Sequence, residues 1–251
     1  MLSALQRRYG AVKTTAWTRI QRLTTGTQYP GAIRGSEYTS KLEFITGSSA
    51  VPIATYRLLG ADGGLLSASN NKSETDSNKK DKVEIDKGTL TQMYTTMLTL
   101  AQMDLLLFEA QRQGRISFYM THHGEEASLV APAAALAAHD VFFGQYREAG
   151  FMLFRGFSIQ QMMHQCQANA FDLGKGRQMP IHYGSKALNI QTISSPLGPQ
   201  IPQAAGAAYA LKREKKDACV VCFFGDGAAS EGDFHAGLNI AATMEAPVIF
   251  F

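Results

Sequence analysis

The chain has 251 residues, of which 45% are hydrophobic and 18% charged, with no apolar run long enough to span a membrane. That is the composition of a globular protein of one or two domains. The formal charge of +3 is concentrated at the amino terminus, where Arg7, Arg8, Lys13, Arg19, Arg22 and Arg34 stand among residues 1–36 without an Asp or Glu. Taking these six from the 24 Lys and Arg leaves 18 against 21 acidic residues, so the basic balance points to a leader and not to nucleic acid.

Residues 1–36 are rich in Arg and Thr and lack the continuous apolar core of a secretory signal. This is the composition of a mitochondrial transit peptide, with cleavage expected before Lys41; a disordered basic tail is the alternative reading. Residues 37–88 read as an extended arm followed by a polar linker, with a turn near Asp62-Gly63 and one apolar residue, Ala68, in the stretch 67–82. Residues 89–251 form the main domain.

From 89 to 113, Leu90, Met93, Met97, Leu100, Met103, Leu106 and Leu107 recur at helical spacing, and Gly114 stops the helix. The methionines read as core packing, not as soft ligands. A short extended piece is expected at 116–120 and an alanine-rich helix at 127–138. His122, His123, Glu125 and Glu126 lie between them, but they lack the four-residue recurrence of a helical zinc site. Residues 141–143 read as a strand with Tyr146 and Arg147 just beyond it. An arginine fork beside a tyrosine hydroxyl at a strand end can hold a phosphate, while a surface Arg beside a half-buried Tyr is the plainer reading.

A helix at 158–169 should turn Ile159, Met162, Met163 and Cys166 inward. Gly174-Lys175-Gly176-Arg177 lacks the full P-loop pattern and is expected as a glycine-rich loop near the active site. Residues 190–193 read as a strand. The polar turn 194–200 opens a helix running to about Lys216, and its backbone NH groups and serines suit either a bound ion or a plain N-cap. Cys166, Cys219 and Cys222 read as core thiols in a reducing compartment; Cys219 and Cys222 would face opposite sides of a strand.

The last stretch organises the rest. Residues 219–224 form an apolar, β-branched run that reads as a buried strand, and it ends at Gly225-Asp226-Gly227. Ser230 and Asp233 carry a capping signature for a helix with Phe234, Leu238, Ala241 and Ala242 on one face. Pro247 closes it before a second strand, giving a βαβ unit. Asp-Gly alone is a common turn dipeptide, but a carboxylate between glycines at a parallel strand's carboxyl end is placed to hold Mg²⁺ against a diphosphate.

These residues resemble the thiamine-diphosphate enzymes, whose cofactor motif opens with Gly-Asp-Gly and closes with Asn-Asn about 25 to 30 residues later. Only 24 residues follow Gly227, so the chain is expected to stop short of the motif's second half. The segments RQGRISFYMTHHGEEAS, FGQYREAG, DLGKGRQMPIHYG, TISSPLGPQIPQAAGAAYA and FFGDGAASEGDFHAGLNIAATMEAPVIFF are similar throughout to alpha subunits of the branched-chain 2-oxo acid dehydrogenases. Pyruvate dehydrogenase alpha subunits share the layout but carry YRxHG and GKGGSMH in place of YREAG and GKGRQMPIH.

The resemblance implies an α/β fold, a mostly parallel sheet with helices on both faces. It implies that Tyr146 and Arg147 bind the cofactor's diphosphate, that Asp226 ligates Mg²⁺, and that Gly227 and Ala228 line the diphosphate. Ser195 would lie against the cofactor and Leu197 would hold its two rings bent. A potassium ion would take Ser194, Pro196 and Gln200, although Pro199 stands where the family has a threonine. The implied partners are a beta subunit in an α₂β₂ heterotetramer and a lipoyl-bearing acyltransferase core, in the mitochondrial matrix, acting on branched-chain 2-oxo acids. The acid that activates the cofactor lies on the beta subunit, so no catalytic residue is assigned to this chain. A pyruvate or acetoin dehydrogenase subunit and a short non-catalytic chain are the alternative expectations.

Overall fold

The computed structural model describes residues 40–44, 46–49, 51–52, 60, 62 and 84–251. The expected transit peptide, most of the arm and nearly all of the linker lie outside them. The chain divides into two units, Met1–Thr75 and Asp76–Phe251. In the first, the described residues include a single 3₁₀ turn, Gly47–Ser49, with Thr46 Oγ1 3.0 Å from Ser48 Oγ.

The second unit is α/β. In chain order it runs α1 (Lys87–Arg112), α2 (Glu126–Ala135), β1 (Val141–Phe143), α3 (Ala149–Phe154), α4 (Ile159–Cys166), α5 (Gln200–Arg213), β2 (Val220–Cys222), α6 (Asp226–Ala229), α7 (Gly232–Thr243) and β3 (Val248–Phe250). The strands are parallel in the order β1-β2-β3, with Phe142 opposite Val221 and Val221 opposite Ile249. Parallel neighbours require crossovers, and α3 to α5 and then α6 and α7 supply them.

Side chains alternate across the sheet, so β1 and β2 each feed two cores, while β3 turns Val248 and Phe250 to one and leaves Ile249 exposed. Phe142, Val221 and Phe223 pack with Leu100, Met103, Phe151, Met152 and Met162 on one face. Val220, Cys222 and Phe143 pack with Ile201, Ala204 and Ala208 of α5 on the other. The Phe142 and Phe151 rings stack at 4.3 Å between centroids. Burying one such side chain contributes about 1.5 to 3 kcal/mol, which is why the apolar runs at 141–143 and 219–224 become buried strands, the second of them central in the sheet. Cys219 and Cys222 do fall in opposite cores, as free thiols.

Several local expectations are corrected. α1 starts at Lys87, because Asp86 accepts the Thr89 backbone N–H at 3.0 Å as N-cap, two residues ahead of the expected boundary. Leu106 is 73% exposed although the spacing had placed it with the core. α4 is shorter than 158–169, with a capping box between Ser158 and Gln161, and Ile159 at its first position stays 44% exposed. Residues 190–193 make a single parallel bridge to Phe142, because Ser185 and Ile190 exchange both backbone hydrogen bonds at 2.9 Å and fold the segment back on itself. Residues 116–120 lie in no strand. Ser230 does not cap α7. The Gly225-Asp226-Gly227 turn winds into α6, Ser230 becomes its C-cap, and its hydroxyl donates to the Asp226 carbonyl at 3.3 Å. Among the described residues, no helix is long and apolar enough to cross a membrane.

Candidate active site

β1 and β2 run side by side, so the loops leaving their carboxyl ends open together. Between them lies a cleft of about 600 Å³ lined by Gln145 to Glu148 after β1 and Phe223 to Ala228 after β2. Leu197, ahead of α5, and Glu125, Ser128 and Leu129, at the start of α2, complete the walls with Phe251. Ligands of open α/β sheets bind at this end of the strands.

Arg147 is half-buried, and its Nη1 donates to the Thr121 carbonyl at 2.7 Å. The guanidinium carbon lies 5.9 Å from the Tyr146 ring centroid. Among the described residues it makes no ion pair, so its charge is available to the cleft. Asp226, the first residue of α6, is exposed, and its carboxylate has no partner among the described residues. A Cβ built on Gly225 would meet nothing within 4 Å, and one on Gly227 would come 3.4 Å from Leu197 Cδ1. Both backbones therefore face open space or the Leu197 methyl.

Glu148 is the group that reading the sequence missed. It is buried at the cleft wall and accepts the Gln145 backbone N–H at 2.8 Å. Burial pushes its carboxyl up to about 7, the Gln145 N–H opposing that rise. The available signal was its place directly after Arg147 and before the small pair Ala149-Gly150, where α3 turns inward. Gln145 is tied in turn to Gln200, whose Nε2 donates to Gln145 Oε1 and to the Phe223 carbonyl, both at 3.2 Å.

The cleft thus gathers Tyr146, Arg147, Leu197, Asp226, Gly227 and Ala228, with the Ala228 methyl also buried in the second core. It does not gather Ser194, Ser195, Pro196 or Gln200. Ser194 and Pro196 are exposed, and Gln200 is buried with its amide nitrogen committed as above. Ser195 Oγ lies 2.8 Å from Nε2 of buried His182, whose Nδ1 donates to the Pro180 carbonyl at 2.9 Å. Nε2 is therefore the acceptor, and the Ser195 hydroxyl donates to it. The Gly174–Arg177 loop, expected near the active site, does not line the cleft; Asp172 accepts the N–H groups of Gly174 and Gly176 and closes it locally.

The family model described as the dehydrogenase E1 component matches residues 94–251, a span that includes every residue of the cleft. The chain belongs to the dehydrogenase E1 component family. It is 52% identical over 222 residues to the 2-oxoisovalerate dehydrogenase subunit alpha 1, mitochondrial, of Arabidopsis thaliana, covering 88% of this chain and 44% of that relative. It is 51% identical over 224 residues to the human mitochondrial alpha subunit, 89% and 47% of the two chains. The Caenorhabditis elegans alpha subunit is 48% identical over 219 residues, 87% and 48% of the two chains. The chain spans about half the length of these curated relatives. Within this E1 component chain, the two loops that carry the resemblance meet in one cleft.

Proposed function

We propose that this chain is part of the alpha subunit of the decarboxylating component of a mitochondrial branched-chain 2-oxo acid dehydrogenase, and that its cleft binds Mg²⁺–thiamine diphosphate. The observation that carries the reading is the meeting of Arg147 and Tyr146 with Asp226, Gly227 and Ala228 at the carboxyl ends of two adjacent parallel strands. The residues fit the group: an unpaired guanidinium for the diphosphate, an unpartnered carboxylate for the metal, and a glycine backbone with no side chain in the way.

When bound, thiamine diphosphate supplies the carbanion and electron sink for loss of CO₂ from a 2-oxo acid. Arg147 neutralises and orients the diphosphate by charge-assisted hydrogen bonds. Asp226 holds the Mg²⁺. Leu129, Leu197, Phe223 and Phe224 form an apolar wall that would limit water around the bound group, and Leu197, beside Gly227, would pack against it. The partner subunits in this reading are a beta subunit, which supplies the acid that activates the cofactor, and a lipoyl-bearing acyltransferase. A potassium ion at Ser194, Pro196 and Gln200 belongs to the same reading, with Pro199 contributing no hydroxyl.

Calorimetric titration of the assembled α/β enzyme with Mg²⁺–thiamine diphosphate tests the site. Loss of one charge-assisted contact costs about 1.5 to 3 kcal/mol, so Arg147→Gln is expected to weaken binding by roughly ten- to a hundredfold. Unchanged affinity in that variant would refute the assignment of the diphosphate to this cleft. The same titration in KCl and in NaCl tests potassium: tighter binding in KCl is expected, and equal affinities remove the ion from the account.

A further inference from the structure

An ionised carboxylate at the centre of a core is costly unless its charge is spent on donors. Asp104 on α1 is 0% exposed, and its donors all come from one short segment. The Tyr119 hydroxyl donates to Oδ1 at 2.8 Å, the His122 backbone N–H to Oδ2 at 2.6 Å, and His122 Nδ1 to Oδ1 at 2.8 Å. Burial pushes the Asp104 carboxyl up, but these donors more than offset it and hold the group below the usual carboxylate value.

Residues 118–122 lie in no helix or strand, so no ladder holds them. One carboxylate grips the segment at Tyr119 and again at His122. Between those grips stands Thr121, whose carbonyl accepts Arg147 Nη1 at 2.7 Å. That bond is the guanidinium's only hydrogen bond among the described residues. His122 Nε2 is buried without a partner. Its other ring nitrogen, Nδ1, faces Asp104.

We propose that Asp104 is a positioning residue for Arg147: it clamps the 119–122 segment so that the Thr121 carbonyl holds the guanidinium ready for an anionic group in the cleft. The proposal rests on the reading of Arg147 as the diphosphate's partner. Arg is a long, mobile side chain, and fixing it before the ligand arrives lowers the ordering cost of binding. The clamp acts on the backbone of Thr121, so the identity of that side chain is immaterial.

The test is a double-mutant cycle on the assembled α/β enzyme, read as the Kd of Mg²⁺–thiamine diphosphate by calorimetry. Asp104→Asn is expected to raise Kd by about tenfold with Arg147 present and by less than about twofold in the Arg147→Gln background, since a residue acting through another loses its effect with it. His122→Asn, which keeps a side-chain donor toward Asp104, is expected to bind nearly as the parent does, and His122→Ala to weaken. If Asp104→Asn does not assemble, Tyr119→Phe removes one of the three donors and runs the same cycle at smaller amplitude. Equal losses in both backgrounds, or no loss in either, would overturn the proposal. An Arg147→Gln variant that binds normally would overturn the diphosphate reading first and this inference with it, a result distinct from additivity.

Discussion

At the scale of single residues, Glu148 separates what composition suggests from what burial does. The Glu148 carboxylate, adjacent to Arg147 in the chain, turns to the Gln145 N–H, and burial pushes it from an ordinary 4.5 up to about 7. The folded state therefore holds the proton more tightly than the unfolded chain. The stability this group contributes is complete below about pH 4.5, declines as pH rises toward 7, and is lost above that, a total of about 3 kcal/mol. Glu148→Gln keeps an acceptor for Gln145 but cannot ionise. Melting curves between pH 4 and 8 should show the variant gaining on the parent as pH rises from about 4.5 to 7, on the order of the linkage above. Parallel curves would show that Glu148 ionises normally in the fold. Arg147's place after a strand left a surface arginine as the plainer reading, and only the family resemblance pointed it at a diphosphate. What set its orientation, a carbonyl 26 residues earlier, was not legible, because backbone acceptors leave no mark in a sequence.

At the scale of elements, the βαβ unit at 219–251 was readable because β-branched and aromatic runs, glycines and a proline punctuate it strongly. The start of its helix was misread. Ser230 and Asp233 have capping spacing, but local capping competes with the short helix α6 formed ahead of it, and the serine was taken by that helix's end. Gly237 carries the packing of α7 on α5: a Cβ there would stand 2.7 Å from Ile201 Cγ2 and 2.9 Å from the Pro202 nitrogen. Gly237→Ala gains up to about 1 kcal/mol of helix propensity, and overpacking costs about 1 to 3 kcal/mol, so crowding against backbone is expected to win. A net loss near 1 kcal/mol lowers Tm by about 3 °C in a unit of this size. A Tm at or above the parent's would mean that α7 can slide away from α5 without loss.

At the scale of the whole molecule, the proposed division of labour places cofactor anchoring on this chain and activation of the cofactor on a beta subunit. This chain alone is then expected to release no CO₂ from 3-methyl-2-oxobutanoate, with release appearing only when the beta subunit is present. Turnover by the isolated chain would show that an activating acid lies within it and would reopen Glu148 and Glu125 at the cleft wall for that role. Taken by itself, the sequence determined the α/β class, the strands within 141–143 and 219–224, the family, and the two loops that carry the candidate side chains. Those features depend on periodicity, punctuation and residue type, which are local. Only the tertiary structure decided that both loops open into one cleft, that Glu148 is buried there, that Ser195 is bonded to His182, and that Asp104 reaches Arg147 through residues 119–122. These depend on which parallel strands become neighbours and on what the packed helices bury, and such long-range pairings are not written in any short stretch of chain.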